Sequence, residues 1–161
     1  MFKRIFPKQA DNAYGGRKLA VWLLALFVLV KFLQGATSTF YTHLALTGAD
    51  AIPLDRYNAA GAQAVISLFA LLGLYIMVFA LPTFVALVRY RALVPLMYLL
   101  WLIEEVSKIA VLSMNPIARS TSVPSGVIIN RVLLAVLVLG FLLSLMRPPQ
   151  QSERRQPSGS D

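Results

Sequence analysis

The chain has no cysteine among its 161 residues and a single histidine, His43. Without cysteine there are no disulfides, no thiolate metal ligands and no cysteine nucleophile, and the redox compartment is left open. One histidine does not supply a bis-histidine haem within one chain. No Glu-x-x-His pair is present for a carboxylate-bridged di-metal bundle. A Gly-rich phosphate loop, a Ser-His-Asp set and a repeat between the two halves are also missing. Charge is scarce: Asp, Glu, Lys and Arg make up 14% of the chain, against about 25% in an ordinary soluble domain. These shortages leave no catalytic residue, no metal site and no cofactor to assign, and they weigh against an enzyme.

What is abundant is apolar length. Hydrophobic residues are 58% of the chain and its mean hydropathy is +0.69. Four apolar stretches run from Leu19 to Ala36, Ala62 to Val88, Ala92 to Met114 and Val127 to Met146. A hydrocarbon core about 30 Å thick is crossed by about 20 helical residues, so each stretch is long enough. The expected fold is an all-α membrane protein, an antiparallel bundle of four transmembrane helices. A basic leader (1–18) would precede it and a tail (147–161) would follow it, the tail disordered for want of any apolar periodicity. A secretory signal peptide is the rival reading of the first stretch. The long charged lead and Lys31 within the apolar run favour an uncleaved helix.

The net charge of +8 raises nucleic acid as a partner, but no basic patch is interleaved with stacking aromatics, so no nucleic acid is expected. The cations instead follow topology. Lys3, Arg4, Lys8, Arg17, Lys18, Arg89, Arg91, Arg147, Arg154 and Arg155 fall on one side of alternating helices, while Arg56 and Arg119 lie in the loops of the other. The positive-inside bias then puts both termini in the cytoplasm. Within the leader, Phe2, Ile5 and Phe6 suit a short segment lying on the inner leaflet. A leader that only fixes topology fits equally.

Punctuation marks the rest. In the link from Thr37 to Gly61, Gly48 and Pro53 suggest a short helix and then a turn, and Asp55 or Asn58 is placed to cap the second helix. His43 either pairs with Asp50 or Asp55 or is simply solvated. Pro82 predicts a kink in the second helix, and Pro95 fits the first turn of the third. Pro116, Pro124 and a Ser/Thr run predict an irregular second outer loop and a capped start to the fourth helix. Ala60 with Ala64, and Gly140 with Ser144, are small-xxx-small pairs that permit close helix contact; an exposed face lined by Gly140 and Ser144 would favour a partner. Trp22, Tyr90 and Tyr98 are candidates for an interfacial belt, whereas Trp101 and Tyr75 lie deeper and are expected between helices.

The informative residues are charges inside the apolar stretches. Glu104, Glu105 and Lys108 lie in the third, Lys31 in the first and Arg131, beside Asn130, in the fourth. Alternating topology brings all five to one layer in the outer half of the membrane, Glu104 just past the midplane and Lys108 one turn nearer the outer surface. An unpaired charge near the centre costs about 2.5–3.5 kcal/mol on insertion scales, so the five are expected to meet. In one reading they form a polar clasp. Arg131 holds one glutamate and Lys31 or Lys108 neutralises the other, fixing the helix register, with terminal lysines free to snorkel. In the other reading the two carboxylates bind a cation, a proton or a small polar solute.

The opening Phe-Pro-Lys-Gln-Ala-Asp-Asn-Ala-Tyr-Gly-Gly-Arg-Lys-Leu-Ala-Val-Trp and the loop Gly-Ala-Asp-Ala-Ile-Pro-Leu-Asp resemble small uncharacterised four-helix inner-membrane proteins of proteobacteria. The layout is similar over nearly the whole chain. The resemblance implies a multi-pass inner-membrane protein and no activity. The expectation is therefore a non-enzymatic binding or accessory component, in contact with the lipid bilayer and with further copies of itself or a membrane-protein partner. The alternative is a small oligomeric transporter or channel for a cation, proton or small polar solute, using Glu104 and Glu105.

Overall fold

The computed structural model describes residues 5–7, 9–12, 14–121 and 123–146. The expected tail and part of the basic leader, including Lys3, Arg4 and Lys8, lie outside these. Among the described residues the secondary structure is helical throughout. The long helices are α1 (Lys18–Phe40), α2 (Ala59–Arg89), α3 (Val94–Met114) and α4 (Ser125–Leu145). Between α1 and α2 the chain makes a helical turn at Thr42–Leu44, a π-helical turn at Ala45–Ala49 and a 3-10 turn at Leu54–Arg56. A further 3-10 turn, Arg91–Leu93, leads into α3.

Three helices, α1, α2 and α4, are long and apolar enough to cross a membrane, with mean hydropathies of 2.1, 2.6 and 2.5. Helix α3 matches α4 in length at 21 residues, but Glu104, Glu105 and Lys108 interrupt its apolar run.

Helix ends follow local chemistry more closely than apolar content. Helix α1 runs four residues past Ala36, because Thr37 and Thr39 return their hydroxyls to the carbonyls of Leu33 and Gly35 and leave the turn intact. Helix α2 starts at Ala59 because the Asn58 side chain accepts the Gly61 N–H at 2.7 Å, so Asn58 rather than Asp55 is the cap. The helix continues through Pro82 to Arg89. Pro95 occupies the first turn of α3, where its missing N–H costs little. Helix α4 departs from expectation: Pro124 precedes it and no side chain caps it.

Helix α1 is the organising element, packed along α2 and α4, while α4 also packs on α3 and the contact between α2 and α3 is slight. Gly35 of α1 and Gly73 of α2 meet at a close crossing. A methyl group on either would come within 2.8 Å of the other's carbonyl oxygen. Lower in the bundle Trp101 fills the space among three helices. Its ring sits edge-on to Phe27 at 5.2 Å and to Phe79 at 4.7 Å, and its indole N–H donates to Thr83 Oγ1 at 2.9 Å. Tyr98 is fully buried, not interfacial, and donates to the Ala20 carbonyl at 2.7 Å. Its ring occupies the gap left by Gly140. Gly140 and Ser144 are therefore spent inside the chain and form no exposed face. Tyr75, expected between helices, is instead 69% exposed. It lies on the side of α2 away from the Gly73 stripe, and no neighbouring helix covers that side.

The described part of the leader is docked. Ala92 N–H donates to the Asp11 carbonyl and Arg17 N–H to the Leu143 carbonyl, and Tyr14 lies against Gly16. A cleft of about 90 Å³ opens there between Tyr14, Ala92, Pro95 and Ser144.

Candidate functional site: a buried charge network

Three helices deliver polar side chains to one interior point. Lys31 of α1 is 2% exposed and Glu105 of α3 is 1% exposed. The Lys31 ammonium is ion-paired with Glu105 Oε1 and also donates to Asn130 Oδ1 of α4 at 2.9 Å. The second oxygen of Glu105 takes Lys108 Nζ at 2.8 Å. Lys108 is three residues on in the same helix, so the pair is geometrically natural. Glu104 stands at the edge, with one oxygen 3.8 Å from Lys108 and the other without a hydrogen-bond partner. Lys31 also lies 5.8 Å from the Phe27 ring centroid, so the aromatic group around Trp101 forms the floor of the site.

Of the five residues singled out from sequence, the fold brings Lys31, Glu105 and Lys108 together and keeps Glu104 beside them. It does not bring in Arg131. That side chain is exposed and has no ion pair among the described residues. The expected Arg131 clasp is replaced by Asn130, because adjacent residues on a helix point about 100° apart and only one can face inward. The buried stripe of α4 is Gly126, Leu133, Leu137, Gly140 and Ser144. Spacings of four and three extend it through Asn130 and leave Arg131 out. That signal was present in the sequence; charge drew attention to the wrong neighbour.

A second polar group, not foreseen, joins the two loops at the loop-side end. Ser120 donates both its N–H and its hydroxyl to the Ala51 carbonyl, at 2.8 and 3.1 Å. Ala51 adopts φ 53° to present that carbonyl, a left-handed conformation costing about 1–2 kcal/mol in an L-residue. Next to it, Asp50 sits against the first turn of α4, where a methyl on Gly126 would meet its Oδ1 at 3.2 Å. His43 is exposed and makes no ion pair with Asp50 or Asp55. Among the described residues no three acidic, His or Cys side chains are grouped to hold a metal ion.

Comparison of the chain with protein-family models, with curated proteins and with solved structures finds no match.

Burial pushes the Asp50 carboxyl above the ordinary carboxylate range, and the nearby Arg119 and Lys108 offset this only in part. A carboxyl whose folded value is raised contributes most below its unfolded value, about 3.9, and loses that contribution as pH climbs through the folded value. Asp50→Asn is expected to raise the melting temperature in mild detergent at neutral pH and to flatten the decline from mildly acidic pH upward. A lower melting temperature at neutral pH would mean that attraction to Arg119 and Lys108 outweighs burial.

Proposed function

We propose that this is a multi-pass inner-membrane protein, an antiparallel bundle of four spans with both termini cytoplasmic, acting as a non-enzymatic binding or accessory component. In this reading α3 spans as well, its charges carried across by pairing. The observation that carries the proposal is the mutual engagement of Lys31, Glu105, Lys108 and Asn130. Each fully buried charge faces an opposite charge or a hydrogen-bond partner on another helix, which suits a clasp that fixes helix register. The outward surface, rich in exposed Leu, Ile and Val along α2, α3 and α4, suits contact with lipid and with membrane-embedded partners.

A transporter or channel is favoured by one observation only: Glu104 and Lys108 are each about a third exposed at the height of the buried pair. Proteoliposome flux measurements on the parent and on Glu104→Gln separate the readings. The expected result is proton and monovalent-cation leakage no greater than that of empty liposomes in both. Flux that Glu104→Gln abolishes while the melting temperature stays unchanged would replace the clasp reading with transport. Copurification in mild detergent with mass spectrometry is expected to return a stoichiometric membrane partner or a second copy.

A further inference from the structure

We infer that the loop-side half of the bundle encloses a hydrated recess, open to the membrane face opposite the termini and closed at its base by the Lys31–Glu105 pair. The inference rests on the four-span orientation proposed above.

Helical spacing gives the depth. Lys31 is nine residues from exposed Trp22 and nine from exposed Phe40, about 13.5 Å along the axis each way. The buried pair thus sits near mid-membrane. Asn130, which Lys31 contacts, is only five residues into α4, so α4 starts about 7.5 Å above the pair. The uncapped start of α4, the chain leading into it and Asp50 beside Gly126 therefore lie about 6 Å below the level of Phe40. Irregular backbone at membrane depth is tolerated where it is buried in protein or lines water.

The side chains above the pair favour water. Gln34 and Ser38 follow Lys31 by three and seven residues and share its face of α1. Both are half-buried, and neither side chain has a hydrogen-bond partner among the described residues. Their polar atoms keep accessible surface, so at this depth they meet either lipid or water; an unpartnered polar group against lipid is costly, and water in a recess removes that cost. Across from them Lys108 and Glu104 are 30% and 31% exposed. Every residue of α3 beyond Lys108, from Ile109 to Met114, is exposed, so this end of the helix stands away from the bundle and leaves the opening. Below the pair, Phe27, Phe79 and Trp101 interlock and seal the other half. Such a recess lets small polar solutes reach Lys108 and Glu104 from one side only.

The absence of native cysteine makes the test clean. Single variants Gln34→Cys, Ser38→Cys, Leu33→Cys and Val28→Cys are placed in oriented membrane vesicles. They are treated with the membrane-impermeant reagent 2-sulfonatoethyl methanethiosulfonate on one face at a time. Leu33 is at the same height but exposed towards lipid, and Val28 is buried below the pair. The thiolate reacts and apolar surroundings suppress it, so Gln34→Cys and Ser38→Cys are expected to react about tenfold or more faster than Leu33→Cys from the loop side. From the terminal side they are expected to stay unmodified, and Val28→Cys is expected to be protected from both. Gln34→Cys and Ser38→Cys reacting no faster than Leu33→Cys, with thiols that titrate fully after unfolding, would overturn the recess. Either variant suffices if the other fails to fold. Thr47→Cys and Ser158→Cys report the sides of the loop and the tail. If those two are reversed while Gln34→Cys still reacts from the loop side, the orientation fails and the recess stands.

Discussion

Glu105→Gln is expected to be the most damaging single substitution in the interior, more so than Lys31→Met. The reason is an asymmetry of partners. Glu105 is the acid paired with Lys31, whose other contact is the neutral Asn130. Removing the negative charge strands a buried ammonium, and breaking a buried pair from one side typically costs about 3–5 kcal/mol. Lys31→Met leaves Glu105 still paired with Lys108 at 2.8 Å, so the expected loss is smaller. The double variant Lys31→Met with Glu105→Gln removes both charges and is expected to be more stable than Glu105→Gln alone, which a melting curve in mild detergent reads directly. Glu104→Gln is the control. Its contact with Lys108 is long, at 3.8 Å, and about a third exposed, so a change of about 0–1 kcal/mol is expected. Equal losses for Glu104→Gln and Glu105→Gln would mean that burial does not rank these carboxylates and that the clasp is not what holds the helices.

That ranking was legible in the sequence through register rather than through charge. The buried residues of α3 include Val94, Tyr98, Trp101 and Glu105. Continuing the alternation of four and three reaches Lys108 and passes over Glu104. In α1, Ala20, Leu24, Phe27 and Lys31 follow the same alternation, and in α4 it selects Asn130 over Arg131. A stripe repeating at 3.5 residues marks the inward face whatever its members carry, so apolar periodicity identifies the buried charges that composition alone leaves equivalent. The common level of Lys31 and Glu105 was legible as well, because helical rise converts residue counts into height along each helix. The joining of the two outer loops was not. The Ser120–Ala51 contact depends on a left-handed alanine between Asp50 and Ile52, a residue type that does not announce that conformation, and the pairing links segments 69 residues apart. Nor was the Gly35–Gly73 crossing visible. Gly73 has Phe69 and Met77 four residues either side, and Gly35 has only Thr39 at the spacing that marks a packing motif, so their meeting is what gives them meaning.

That crossing carries the second large effect. Gly73→Ala is expected to destabilise the fold by about 1–3 kcal/mol, the usual range for overpacking, and Gly73→Val by more. The methyl at residue 73 would stand 2.7 Å from the Gly35 carbonyl oxygen, 2.7 Å from Thr39 Oγ1 and 2.8 Å from Ser38 Cβ. A carbonyl of the facing helix does not swing aside, so α1 and α2 must separate. Separation also strains the Thr39 hydroxyl bond to the Ala70 carbonyl at 3.3 Å and the edge-on contact of Phe32 with Phe84. Gly140→Ala makes the informative contrast. Its methyl would collide with Tyr98 Oη, a clash with a side chain that can rotate away by giving up its bond to Ala20. Shortening that side chain in Gly140→Ala with Tyr98→Leu is therefore expected to recover part of the loss, whereas Gly73→Ala with Thr39→Ala is not, because the Gly35 carbonyl remains in place. Gly15→Ala, with nothing within 4 Å of the new methyl, is expected to leave the melting temperature unchanged. Recovery of Gly73→Ala by the Thr39 substitution would show that a side chain rather than backbone sets the α1–α2 distance, and the close approach of the two glycines would then be incidental to the fold.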